Sequence, residues 1–431
     1  MKVLRLLFVL AGLIWGLSSV AQTLVEQLHE FGFDSIRKFE ITQKDYSEAW
    51  EIFIRQPLDH DDPDGGYFTQ RVFLRHRGFD LPVVLVTEGY AANYALRPGL
   101  NNEIADKLEA NLIIAEHRYF GQSKPDSLEW EHLNLKNVAT DLHRITTTFK
   151  KLYHGSWLST GISKGGQTSI YYRYFYPDDV QASVPYVAPL NFSDEDDRVY
   201  HFLDTVADAE CRERIYRIQY RLLKDQHIFL PMFADSAKKY NHTFELVGGI
   251  EKAFEYNVLE FSFAYWQWYP VECDQLPEPN ADADILYNTF IKATGYDFFA
   301  DKGILINQPF FYQALTEMGM YNYQTKGFED VLQYVEQPNF HHTLPQGVAV
   351  NYDPTLSLDV DQWLKKHGNN MIYVYGAYDA WSATAVQIGT ETNAVKLLLP
   401  MGSHRTRLHH FDQEQQDKIR RLLLEWLQVY I

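Results

Sequence analysis

Cysteine is scarce in this chain, with two among 431 residues, Cys211 and Cys273. Their spacing excludes a C-x-x-C redox motif, and their number excludes a cysteine-rich zinc module. There is no P-loop, no H-E-x-x-H helix motif, and no glycine fingerprint opening a dinucleotide fold after a first strand. No cofactor and no metal centre are expected. Around His60, the run Asp-His-Asp-Asp-Pro-Asp-Gly-Gly (59–66) reads as turn chemistry, because ordered ligand spacing is missing. Basic runs are absent, and the formal net charge is −18. A nucleic-acid partner is therefore not expected. Beyond the N-terminus no apolar run is long enough to span a bilayer. Internal repeats and low-complexity tracts are also missing.

What the chain does have is 46% hydrophobic and 15% aromatic residues, ample for a large core. Residues 1–21 have the pattern of a cleavable signal peptide. Lys2 and Arg5 give the basic start, an apolar run follows, and Ser19-Val20-Ala21 supplies small residues for cleavage after Ala21. The expected mature protein is exported, to the periplasm or beyond, with no membrane span. In such a compartment Cys211 and Cys273 are expected to form one disulfide.

Segments 81–87, 111–115, 156–160, 182–187, 371–375 and 394–399 read as strands, the first two as buried ones. Helical periodicity at 135–152, 359–367 and 413–429 falls between or after them. Strands alternating with helices imply a mostly parallel sheet covered on both faces. Residues 46–55 and 67–77 add an opening hairpin. From about 191 to 342 the strand runs nearly vanish, aromatics crowd in, and 210–224, 229–241 and 328–336 read as helices. The expected organisation is a catalytic unit of 22–190 plus 343–431, interrupted by a helical lid of 191–342.

One stretch organises the chemistry. Gly161, Ser163 and Gly165 form G-x-S-x-G between a strand and a helix, the sequence form of a nucleophile elbow. A serine needs a base, and the base needs an orienting carboxylate. In the α/β-hydrolase arrangement these follow in the order Ser, Asp or Glu, His, each just past a strand. Ser163, Asp379 and His404 meet that order and placement. His341, His342, His409 and His410 compete for the base, but none follows a strand directly. An oxyanion hole needs two backbone donors. Lys164 N–H follows the serine, and Tyr90 N–H lies in the loop after strand 81–87. The Lys164 side chain is expected to be solvated.

With these residues in view, Thr-Glu-Gly-Tyr (87–90), Glu-His-Arg-Tyr-Phe-Gly-Gln-Ser (116–123) and Gly-Ile-Ser-Lys-Gly-Gly (161–166) resemble the secreted bacterial prolyl tri- and tetrapeptidyl aminopeptidases. These are α/β-hydrolase serine peptidases, and the Glu-His-Arg-Tyr segment is similarly shared with the prolyl carboxypeptidase and dipeptidyl peptidase group. Ser-Lys-Gly-Gly at the elbow favours the tripeptidyl branch. The resemblance implies an exopeptidase that releases short peptides from free N-termini, often after proline, with peptides as its partners. It carries the triad onto Ser163, Asp379 and His404. It also implies a carboxylate for the substrate amine, for which Glu88 and Glu116 are the candidates. A secreted carboxylesterase or lipase on the same fold is the alternative, and an inactive binding protein is a third reading.

Overall fold

The computed structural model describes residues 23–269 and 271–428. Residues 1–21, expected to be a signal peptide, lie outside the described residues. Nine strands form one sheet: β1 Ser35–Lys38, β2 Glu48–Pro57, β3 Tyr67–His76, β4 Val83–Thr87, β5 Asn111–Ala115, β6 Trp157–Ile162, β7 Ala182–Tyr186, β8 Ile372–Gly376 and β9 Val395–Leu399. Their spatial order is β1-β2-β3-β5-β4-β6-β7-β8-β9. The β1, β2 and β3 edge pairs antiparallel as far as β5. From β5 to β9 every pairing is parallel. This is an α/β-hydrolase architecture with a mixed, mostly parallel sheet.

Alternation along the strands covers both faces. Val84 and Val86 of β4 pack with Ile419 and Leu423 of the closing helix Gln413–Trp426. Val83 and Leu85 turn the other way, toward Ile145 and Phe149 of the helix Leu135–Phe149. Strand order reverses between β4 and β6. Chain leaving β4 goes to β5 on one side, and chain leaving β6 goes to β7 on the other. Such a reversal opens a crevice at the carboxyl ends of the two strands.

Between β7 and β8 the chain passes through helices running from Arg198–Thr205 to Asp301–Gln313. This insertion does not have a core of its own. Its buried Phe254, Phe261 and Trp266 belong to the same continuous cluster as Ile170 and Tyr171 of the helix behind β6 and Tyr373 and Tyr375 of β8. Residues 328–336, expected as a helix, are turns. The Glu255 carboxylate explains the difference. It accepts the N–H groups of Gln333, Tyr334 and Val335 at 2.7–2.9 Å. Donors held by a side chain cannot also close a helix ladder.

Cys211 and Cys273 are bridged, with Cα atoms 5.5 Å apart and a sequence separation of 62. Closing a loop of that length is worth about 4 kcal/mol in the chain-entropy model. Reduction is expected to lower the unfolding free energy by that amount. Denaturant titrations with and without reductant measure it.

Candidate active site

β6 is buried along its length up to its last residue and delivers Ser163 into the crevice. Ser163 has φ 57° and ψ −124°, a strained conformation for a residue with a Cβ. The turn closes because its neighbours are small. A Cβ on Gly161 would sit 2.2 Å from the Gly165 carbonyl oxygen. Ser163 N–H donates to the Tyr186 carbonyl at 2.9 Å, which pins the elbow to β7. The helix Lys164–Phe175 begins at once, and its first N–H groups point back toward the serine.

Gly89 lets the loop after β4 approach closely, since a Cβ there would stand 2.7 Å from Gly165 N and from Lys164 Cβ. No described acceptor takes the backbone N–H of Tyr90 or of Lys164. Both remain available to a negative oxygen.

Asp379 follows β8 and is fully buried. Its Oδ2 lies 2.7 Å from His404 Nδ1, and its Oδ1 accepts Trp381 N–H at 3.1 Å. Burial raises its carboxyl above the ordinary aspartate range, and the contact with His404 opposes that rise. With Nδ1–H donated to Asp379, His404 Nε2 is left as the acceptor. The two loops meet through glycines, because a Cβ on Gly376 would strike the Gly402 carbonyl oxygen at 2.3 Å. His404 N–H donates to the Gln267 carbonyl at 2.8 Å, and the Trp268 ring stands edge-on to the imidazole at 5.6 Å.

Asp379 and His404 are thus in direct contact. Ser163 and His404 share the wall of one cavity of about 750 Å³, but no hydrogen bond joins the serine hydroxyl to the imidazole. Hydrogen bonds of this kind are often loose until substrate is bound.

The Lys164 side chain is buried rather than solvated. Its Nζ lies 3.0 Å from His117 Nε2, over the rings of Tyr90 and Phe120. His117 Nδ1 is 2.7 Å from the Arg118 carbonyl and donates to it, so Nε2 accepts from the lysine. Burial drives Lys164 well below the ordinary lysine range and, together with the Lys164 charge, drives His117 well below the histidine range. The lysine therefore ties the elbow to the Glu-His-Arg-Tyr segment.

The two carboxylates expected for a substrate amine part company. Glu116 is fully buried and accepts from Ala92 N–H at 2.8 Å, Gln122 N–H at 2.7 Å and the Ser123 hydroxyl at 2.9 Å. It braces two loops and lines neither cavity at the serine, which corrects the expectation for it. Nor does it pair with Arg118, whose guanidinium is held by Asp141 at 2.6 and 2.8 Å. Glu88 does line the 750 Å³ cavity and accepts from the Tyr94 hydroxyl. Burial pushes its carboxyl up to about 7, and the Tyr94 hydrogen bond opposes that rise.

A second cavity, of about 250 Å³, opens from Ser163 on the insertion side. Trp268, Phe310, Tyr321 and Trp381 supply aromatic walls. Glu260, Ala264, Gln267 and Trp268 line it from one face of the helix Ile250–Trp268, at helical spacing. Glu260 was not anticipated from the sequence. A lone charge in the otherwise uncharged, aromatic-rich run 256–266 was the available signal.

A family model described as PS-10 peptidase S37 matches residues 36–430. The prolyl tri/tetrapeptidyl aminopeptidase of Streptomyces mobaraensis is 32% identical over 379 residues, covering 86% of this chain and 78% of its own. A probable serine protease of Arabidopsis thaliana is 28% identical, over 31% of each chain. The lysosomal Pro-X carboxypeptidase of Mus musculus is 26% identical, over 32% of each chain.

Proposed function

This chain belongs to the PS-10 peptidase S37 family and is a serine peptidase of the α/β-hydrolase fold, and from that premise we propose that it is an exported exopeptidase releasing short peptides, after proline by preference, from free N-termini. The observation that carries this reading is the buried Asp379–His404 pair facing the same cavity as the elbow serine.

In the proposed mechanism the Ser163 hydroxyl attacks the scissile carbonyl while His404 Nε2 takes its proton. Asp379 holds the imidazole in that tautomer and stabilises the imidazolium. The developing oxyanion is met by the N–H groups of Tyr90 and Lys164. His404 then returns the proton to the leaving amine, so the C-terminal part of the substrate departs and the N-terminal part stays as an acyl-serine. Water, deprotonated by His404, releases it. Trp381, Tyr321 and Phe310 supply aromatic walls suited to a proline ring. Export is supported by the signal pattern at 1–21 and by the Cys211–Cys273 bridge. Among the described residues no helix is long and apolar enough to cross a membrane.

A peptide-library digest read by mass spectrometry tests the reading. Cleavage is expected a few residues from the amino end, after proline, and far faster where that end is free. Equal cleavage of acetylated peptides would remove the aminopeptidase assignment.

A further inference from the structure

Ser163 stands where two cavities meet, and they differ in what else lines them. The 750 Å³ cavity includes His404, Arg405 and Arg407; the 250 Å³ cavity does not. The base must reach the leaving amine to protonate it, so the leaving part of a peptide lies on the His404 side. The acyl part, with the amino terminus, then lies in the smaller cavity.

That cavity contains a buried carboxylate with no cation. Glu260 is 5% exposed. Its Oε2 accepts from the Tyr321 hydroxyl at 2.9 Å and the Tyr323 hydroxyl at 2.7 Å. Among the described residues its other oxygen has no hydrogen-bond partner, and Glu260 lines the cavity. Among the described residues no lysine, arginine or histidine forms an ion pair with it. Lys164 shares the cavity, but its ammonium group is turned to His117. Asp297, on the rim, is a second acidic side chain. Burial pushes the Glu260 carboxyl up to about 8, against the two tyrosine hydroxyls.

Glu255, five residues earlier on the same helix, shows what a structural acid looks like in this fold. Its oxygens accept three backbone N–H groups and the Gln226 amide. Glu260 has half of that complement and faces space. Burying a charge unpaired is costly, so a pocket built this way suits a cationic guest.

Resting on the aminopeptidase reading above, we propose that Glu260 binds the α-ammonium group of the substrate, with Tyr321 and Tyr323 orienting its carboxylate, and that the small cavity between Glu260 and Ser163 fixes how many residues are released. The substrate class is a peptide with a free amino terminus. Glu88, on the leaving-group side, does not have this role.

The test compares Glu260→Gln and Glu88→Gln on paired chromogenic tripeptides ending in proline, free and N-acetylated. Removing one partner of a buried charged pair should lower kcat/KM for the free-amine substrate by about 10²-fold, through KM, in Glu260→Gln. Activity on the acetylated substrate should stay as it was. Tyr323→Phe, which leaves the carboxylate in place, should give a smaller loss, again confined to the free amine. A free-to-acetylated ratio unchanged in Glu260→Gln, an equal fall on both substrates, or a ratio that collapses in Glu88→Gln would each overturn the assignment. In those cases the aminopeptidase reading survives. A wild-type enzyme indifferent to acetylation would overturn both.

Discussion

Ser163→Ala is expected to lower kcat by about 10⁶-fold with little change in KM or in folding stability. The size follows from what the hydroxyl does in the proposed reaction. Without it no acyl-enzyme forms, and a triad that acts as a unit loses nearly all its effect when the nucleophile is removed. Binding and the two backbone donors keep a residual rate about 10³–10⁴ above water. Stability should hold because the Ser163 hydroxyl makes no hydrogen bond among the described residues and alanine bears the positive φ no worse than serine. A fluorophosphonate probe should label the wild type and not the variant, and thermal melts of the two should coincide. Labelling that persists in Ser163→Ala would place the nucleophile elsewhere.

Asp379→Asn should cost about 10⁴-fold in kcat, again with the fold intact. An asparagine at this position can donate its amide N–H to His404 Nδ1. The ring proton then sits on Nε2, where it blocks acceptance of the serine proton. Stability separates this effect from simple damage. The Asp379 carboxyl is raised by burial, so the folded protein holds its proton more tightly than the unfolded chain does. Its contribution to stability is present at low pH and is lost as pH rises through the raised value. At neutral pH the ionised aspartate therefore costs stability, and the asparagine variant should melt no lower than wild type. A loss of activity accompanied by an equal loss of melting temperature would point to a structural role instead.

The placement of the site was readable because it is local. Each of β6, β8 and β9 is a short strand, and Ser163, Asp379 and His404 each follow one of them. Chain order alone brings such residues to one end of a parallel sheet. Partner choice was not readable, because it is set across long separations. Glu116 and Arg118 are neighbours in sequence, yet the first braces the loops at Ala92 and Gln122 and the second grips Asp141. The helix expected at 328–336 was lost to Glu255, whose carboxylate arrives from 78 to 80 residues away. Glu260 was hidden for a similar reason. Its significance lies in Tyr321 and Tyr323, more than 60 residues later, and in what does not surround it. The burial of Lys164 depends on His117, 47 positions earlier. A charged side chain next to a nucleophile gives no hint of that by itself.

The core shared by the insertion and the sheet has a kinetic consequence. Phe263 and Tyr321 of the insertion both pack on Trp381, beside Asp379, with ring centroids 5.2 Å apart in each pair. Swinging the insertion away would wet this seam at about 2–3 kcal/mol per ring, and would break the His404–Gln267 bond as well. On the proposed reading, the roof over Ser163 would work as a fixed sieve rather than a door. A polypeptide would then reach the serine by threading its own loose end through the mouth. Turnover on an intact protein would be paced by how often that protein's first residues fray, and a tightly packed amino terminus would be its own protection.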